Sequence, residues 1–211
     1  MANNFINAIK TNISTDGTLP TEVYSPSAIK AICIELDVSN NSSAGVTVDI
    51  EIEDDSAKTS TLAITFASNA ERNAGTMTVG QAHNLETGDR VKFTVSSAPS
   101  FTDGSLPPSA EASLSVTRIY YVQNIPSTTK FRIAETRGAS AALTWDTDGS
   151  TIAYIQREIA TIVRQAPVPV GGALKVIAGQ KLVLAASDKL YATSSSAYNV
   201  DVVASILADV S

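Results

Sequence analysis

From Ala31 the chain alternates apolar and polar residues with a period of two, Ile32, Ile34, Leu36 and Val38 falling on one side and Cys33, Glu35 and Asp37 on the other. Successive side chains of a strand point to opposite faces, so this pattern predicts a half-buried strand. A stretch of turn-forming residues follows, Ser39-Asn40-Asn41-Ser42-Ser43-Ala44-Gly45. Alternation then resumes with Val46, Val48, Ile50 and Ile52 against Thr47, Asp49, Glu51 and Glu53. The two segments are expected to form an antiparallel pair with one apolar and one acidic face.

The C-terminal region repeats this logic in short strands at 174–177, 181–184, 189–193 and 200–206. Ala178-Gly179-Gln180, Ala185-Ala186-Ser187-Asp188 and Ser194-Ser195-Ser196-Ala197 separate them. Such spacing predicts an antiparallel sandwich or barrel rather than parallel β-α-β units. No long window holds a 3.6-residue apolar period, and Phe5 to Ile9 reads as an N-terminal arm or first strand. The middle of the chain, rich in glycine and carrying Pro107-Pro108, places strands at 76–79, 90–95, 119–122 and 130–133 between long polar loops. The alternation that stops near Ile52 continues in Glu158-Ile159-Ala160-Thr161-Ile162-Val163-Arg164. The expected organisation is therefore an outer β-sandwich from residues 1–54 and 155–211, with 55–154 inserted in one of its hairpins as a small β-barrel-like module.

Composition narrows the function. In 211 residues the hydrophobic share is 44%, the aromatic share 6% and the charged share 17%, with a net charge of −6. Apolar residues dominated by Ala, Val and Ile beside abundant Ser and Thr suit strands. The acidic balance, with no basic cluster interleaved with aromatics, argues against nucleic acid as a partner. One cysteine, Cys33, excludes an internal disulfide framework and a Cys-based zinc site. The stretch from Met1 to Phe5 has no basic region leading into an apolar run, and no segment has the length of an apolar membrane span. Synthesis in the cytoplasm with no membrane partner is the expectation.

The most specific signal is a C-terminal passage. It comprises Ala166-Pro167-Val168-Pro169-Val170-Gly171-Gly172-Ala173-Leu174, Gly179-Gln180-Lys181-Leu182-Val183-Leu184, Ser187-Asp188-Lys189-Leu190-Tyr191 and Asp201-Val202-Val203-Ala204-Ser205-Ile206-Leu207. With the opening Met-Ala-Asn, it resembles a family of small virion structural proteins of tailed, cyanophage-like bacteriophages, roughly half as long as this chain. Physically, Pro167 and Pro169 cannot donate to a ladder and mark an edge or crossover, and Gly171-Gly172 permits a turn into the next strand. The middle carries His83-Asn84-Leu85-Glu86-Thr87-Gly88-Asp89-Arg90-Val91, Tyr120-Tyr121-Val122 and Lys130-Phe131-Arg132-Ile133-Ala134. These resemble the FCCH-like β domain named after the ubiquitin-activating enzyme and found in phage tail proteins. That resemblance implies a turn at Thr87-Gly88-Asp89 feeding a strand, then two more strands. The loop from Ser96 to Ser115 is longer than such modules usually carry, and its Phe101, Leu106, Pro107 and Pro108 are candidates for contact with a neighbour.

Candidate chemistry is sparse. The sole histidine, His83, lacks a positioned nucleophile and a carboxylate orienter, so a structural role is expected. Cys33, read as sharing a face with Glu35 and Asp37, is expected to be unreactive because acidic neighbours raise a thiol pKa. Asp146-Thr147-Asp148-Gly149-Ser150 opens like a calcium loop but lacks the downstream bidentate acid. A β-turn is the plainer reading, with Asp146 and Asp148 as metal candidates on the alternative one. The acidic stripe of Glu35, Asp37, Asp49, Glu51, Glu53, Asp54 and Asp55 reads as a solvated face, with a docking surface or ion site as the alternative. Trp145 alone does not make a glycan site. There is no phosphate loop, metalloprotease helix motif or nucleophile elbow, and no cofactor is implied.

The expected function is thus that of a non-enzymatic virion structural protein. It would oligomerise and contact other particle proteins as a capsid decoration or as a neck or tail accessory. A tail fibre or adhesin module binding the host surface is the alternative, and a polysaccharide-degrading enzyme ranks below both.

Overall fold

The computed structural model describes residues 4–27, 29–54, 62–65, 68–100, 113–147 and 152–210, and of residues 155–158 the backbone alone. The elements run, in order, β1 (Asn4–Lys10), β2 (Thr21–Tyr24), β3 (Lys30–Asn40), β4 (Val46–Asp54), β5 (Leu62–Thr65), α1 (Asn69–Asn73), β6 (Met77–Val79) and β7 (Arg90–Thr94). They continue with β8 (Tyr120–Ser127), β9 (Lys130–Ala134), β10 (Ile152–Val168), β11 (Ala173–Leu184), β12 (Lys189–Ser194) and β13 (Val200–Val210). The protein is all-β, every strand pairing described being antiparallel. It divides into two compact units, Met1–Ala57 with Glu158–Ser211, and Lys58–Arg157.

In the first unit, sheet β1-β13-β3-β11 and sheet β2-β12-β4-β10 turn their apolar faces toward one core. That core is aliphatic, with Leu36, Val38, Ile50, Leu190, Val200, Val202 and Ile206 essentially inaccessible to water. The sequence expectation that β3 and β4 pair with each other is corrected: they lie in opposite sheets. Both carry one apolar face, and a polar link of this length can arch across a core as well as turn back in plane. Asn40 holds the arch, donating from Nδ2 to Ala44 O at 2.8 Å and accepting from Ser42 N at 2.8 Å.

Three smaller corrections follow, the first two from register and the third from burial. First, β3 does not keep one phase. Its pairing with β13 shifts between Cys33 and Glu35, so Ala31, Cys33, Leu36 and Val38 point into the core while Ile32 lies on the outer face. A bulge adds a residue to one strand and reverses the faces beyond it. Second, the expected strands at 174–177 and 181–184 are one strand, β11. Its pairing with β3 shifts between Ala178 and Leu182, where Gly179 takes φ 76°. Third, Glu53, expected on a solvated stripe, is 1% exposed.

Strand β4 pairs with the later part of β10, Glu158 opposite Asp54 and Val168 opposite Val46. The chain leaves β10 through Pro169-Val170-Gly171-Gly172, where Gly172 N donates to Pro169 O at 3.0 Å and Gly171 takes φ 63°. The glycine pair therefore makes the turn into β11.

In the second unit the pairings run β5-β6-β9-β8-β7, and residues 152–157 of β10 pair with β5 on one side and β7 on the other, closing the circuit. Here the core is aromatic, with Phe93, Tyr120, Phe131, Trp145 and Tyr154 buried. Phe131 and Tyr154 meet edge to face at 4.9 Å, a favoured arrangement for aromatic quadrupoles. The turn expected at Thr87-Gly88-Asp89 is formed, Asp89 Oδ2 accepting from Glu86 N at 2.8 Å with Gly88 at φ 96°. Helix α1 is too short to show a period in the sequence. Ser68 caps it, its hydroxyl accepting from Glu71 N at 3.2 Å. Gly75 ends it at φ 69°, with Thr76 N donating back to Glu71 O at 2.8 Å.

Candidate functional site

The groups most able to do chemistry are committed to structure. His83 is buried, and Leu85 N donates to its Nδ1 at 3.0 Å. The ring proton therefore sits on Nε2, which faces the carbonyl oxygens of Ser127 at 3.0 Å and Lys130 at 3.3 Å. Both nitrogens are used by backbone, and the ring packs edge-on to Phe131 at 5.6 Å. Cys33 is wholly buried, and desolvation pushes its thiol up to about 11. Its expected inertness thus comes from the core rather than from acidic neighbours, the bulge in β3 having turned it away from Glu35 and Asp37.

The acidic residues do not form one stripe. Glu35 and Asp37 face outward from sheet β1-β13-β3-β11, where Lys175 of β11 donates to Glu35 Oε1 and lies 4.0 Å from Asp37 Oδ1. That hydrogen bond, aided by the Asp37 charge, holds the Lys175 ammonium above the usual lysine value. Asp49 and Glu51 face outward from the other sheet, where Gln165 N donates to Asp49 Oδ1 and Thr161 Oγ1 to Glu51 Oε1. Glu53 follows in phase with them on β4 but is buried, its Oε2 accepting from Tyr191 Oη at 3.1 Å. Among the described residues no group of three or more His, Cys, Asp or Glu is placed to hold a metal ion. Asp146 N donates to Ser100 O at 3.0 Å, and Asp148 lies outside the described residues. So do Phe101, Leu106, Pro107, Pro108 and Asp55. Trp145 is a core residue, 0% exposed.

What the structure does assemble is a surface. On the outer face of sheet β1-β13-β3-β11 the registers align three rows. Phe5 is opposite Leu207, Leu207 opposite Ile32, and Ile32 opposite Val183. The next row is Asn7, Ser205, Glu35 and Ala178, and the third is Ile9, Val203, Asp37 and Lys175. Phe5 is 73% exposed, Ile9 60% and Val183 57%. An apolar row thus crosses all four strands beside a polar row and a mixed one. Phe5 to Ile9 has only the pattern of an arm or first strand in the sequence, and its alignment with residues some two hundred positions away depends on register. A second apolar feature is a groove of about 350 Å³ where β10 and β11 approach, lined by Ile162, Val176, Ile177 and Leu182 with Gln180 and Lys181.

No protein-family model matches the chain, and no curated protein is significantly similar to it.

Proposed function

We propose that the chain is a non-enzymatic structural protein of a tailed-bacteriophage particle, an antiparallel β-sandwich with an inserted β module, that assembles with itself and with other virion proteins. The observation that carries this reading is the outer face of sheet β1-β13-β3-β11, where Phe5, Leu207, Ile32 and Val183 align in one apolar row across four strands, with Phe5 and Val183 mostly exposed. Contiguous apolar surface on a folded protein marks a place where another macromolecule docks. The C-terminal passage from Ala166 to Leu207, with its resemblance to small phage virion proteins, supplies the kind of assembly. Low charge density over the whole chain suits a protein that covers much of its surface with neighbours. The engagement of His83 by backbone and the burial of Cys33 favour this reading over an enzymatic one.

Mass spectrometry of purified particles, followed by cryo-electron microscopy, tests it. The chain is expected in stoichiometric amount, in a ring or lattice on the capsid, neck or tail, with Phe5 and Val183 covered. Absence from purified particles overturns the reading. A position confined to a distal tip, with this face in solvent, replaces it with the adhesin reading.

A further inference from the structure

Strand β1 is an edge strand, paired with β13 on one side and, among the described residues, with no strand on the other. An exposed edge offers a row of backbone donors and acceptors to any strand that can pair with it, and proteins usually protect such edges with charge, proline, a bulge or brevity. The other edges of the first unit carry these protections. β11 bears Lys175 and Lys181 and is broken at Gly179. The part of β10 in this unit bears Arg164 and Pro167, with Gln165 at φ 48° and two register shifts. β2 has four residues, with Glu22 bridged to Lys189 at 3.6 Å. By contrast β1 keeps an unbroken register with β13 over all seven residues, contains no proline, and has its only charge at its last position, Lys10.

The order of side chains on β1 indicates what pairs with it. Phe5, Asn7 and Ile9 are exposed on the outer face, while Ile6 and Ala8 are half-buried against the core. Read from either end about Asn7, the strand presents the same character: bulky apolar, small or branched apolar, asparagine. An antiparallel copy centred on Asn7 sets Phe5 opposite Ile9 outside and Ile6 opposite Ala8 inside, and each Lys10 faces an Asn4 rather than its own like. We infer that β1 is the contact of a two-fold symmetric dimer, in which β1 pairs antiparallel with β1 of a second copy about Asn7. The two four-stranded sheets then become one eight-stranded sheet, and the apolar residues at the end of each outer face meet across the axis. This is an isologous interface, each copy using the same patch. It deepens the assembly reading and rests on it for its setting on a particle, whereas the contact itself is a property of the purified chain.

Sedimentation of the full chain and thiol crosslinking test it together. The chain is expected to sediment with twice its own mass, and Phe5→Asp combined with Ile9→Asp is expected to weaken that association at least tenfold while leaving the circular dichroism spectrum unchanged. Because Cys33 is buried, Asn7→Cys introduces the only accessible thiol. Directly opposed residues place Cβ atoms about 5 Å apart, so mild oxidation should link two copies. Lys10→Cys should not crosslink, because six residues of offset separate the two thiols by roughly 20 Å. A chain that stays monomeric at every concentration overturns the inference. So does a dimer that survives the double substitution, or one that crosslinks through position 10 as readily as through position 7. The virion reading stands or falls separately, on whether the chain is found in purified particles.

Discussion

Asn40 Nδ2 donates to the carbonyl oxygen of Val168 at 3.0 Å, joining residues 128 positions apart. Asn40 ends β3 in one sheet and Val168 ends β10 in the other, so one buried amide ties the two sheets at their common end. The same Nδ2 reaches Ala44 O at 2.8 Å and Pro169 O at 3.2 Å, and Asn40 N donates to Gly172 O at 3.0 Å. Neither Pro167 nor Pro169 offers an N–H here, so the side chain supplies a donor that the backbone lacks. Asn40→Ala is expected to lower stability by about 2 kcal/mol or more, since each buried polar group left without a partner costs about 1–3 kcal/mol. Asn41→Ala, which removes an exposed bond to Asp201 Oδ2, should cost less than about 1 kcal/mol. Urea unfolding decides: the midpoint should fall for Asn40→Ala at constant slope, and equal midpoints for the two variants would show that the bridge is not a structural tie.

Gly75 has φ 69°, and a Cβ built on it would stand 2.0 Å from Leu143 O. Backbone cannot retreat as a flexible side chain can. Gly75→Ala is therefore expected to cost more than the roughly 1 kcal/mol lost when alanine is forced into a left-handed conformation. Gly88→Ala, at φ 96° with open space around it, isolates the backbone part. Trp145 is the only tryptophan and lies in the core of this unit, so its fluorescence reports the unfolding directly. A Gly75→Ala variant no less stable than Gly88→Ala would mean that the segment carrying Leu143 moves aside.

These two sites mark the limit of what the sequence makes legible. Period-two alternation is a local property and it located β3, β4, β12 and β13 well. It could not say whether β3 and β4 share a sheet, because an arch and a hairpin produce the same apolar face. Nor could it detect the bulge that turns Cys33 inward and Ile32 outward, since a bulge leaves every residue in place and changes only the phase. The row from Phe5 to Val183 was illegible for a related reason: its four members come from four strands, and only their registers align them. Asn40 read as one turn-former among several in Ser39 to Gly45, and nothing in its neighbours in the chain distinguishes it as a tie to Val168.

Alkaline pH should destabilise the protein. Burial raises the Cys33 thiol from its usual 9.0 to about 11, the Glu35 carbonyl contact acting weakly the other way, and burial raises the Tyr154 hydroxyl from 10.0 to about 12. The unfolded chain loses these protons first, so stability is fully present below pH 9 and declines as pH rises toward 11 and 12. Urea midpoints measured from pH 8 upward should fall across that window. Cys33→Ala should remove the part that begins near pH 9 and Tyr154→Phe the part that begins near pH 10. A midpoint that stays level to pH 11 would contradict the burial of Cys33. In the native chain at pH 8 the same thiol should react with a disulfide reagent only as fast as the protein opens.

The Tyr191 hydroxyl donates to Glu53 Oε2 at 3.1 Å, with the two residues 6% and 1% exposed. Glu53 belongs by sequence to a run of acids, yet its position differs from that of Glu51, which is half-exposed two residues earlier on the same strand. A buried carboxylate depends on its donors in a way that a solvated one does not. Tyr191→Phe keeps the ring and removes the donor, so it should cost about 1–3 kcal/mol, whereas Glu51→Gln should stay within about 0.5 kcal/mol. If burial rather than the hydrogen bond governs the site, Glu53→Gln added to Tyr191→Phe should recover part of the loss, because a neutral amide tolerates desolvation better than a carboxylate. A double-mutant cycle measures the coupling directly. Coupling near zero would show that this hydrogen bond does not hold Glu53 in place, and substantial coupling would show that Tyr191 helps an acid occupy the end of β4.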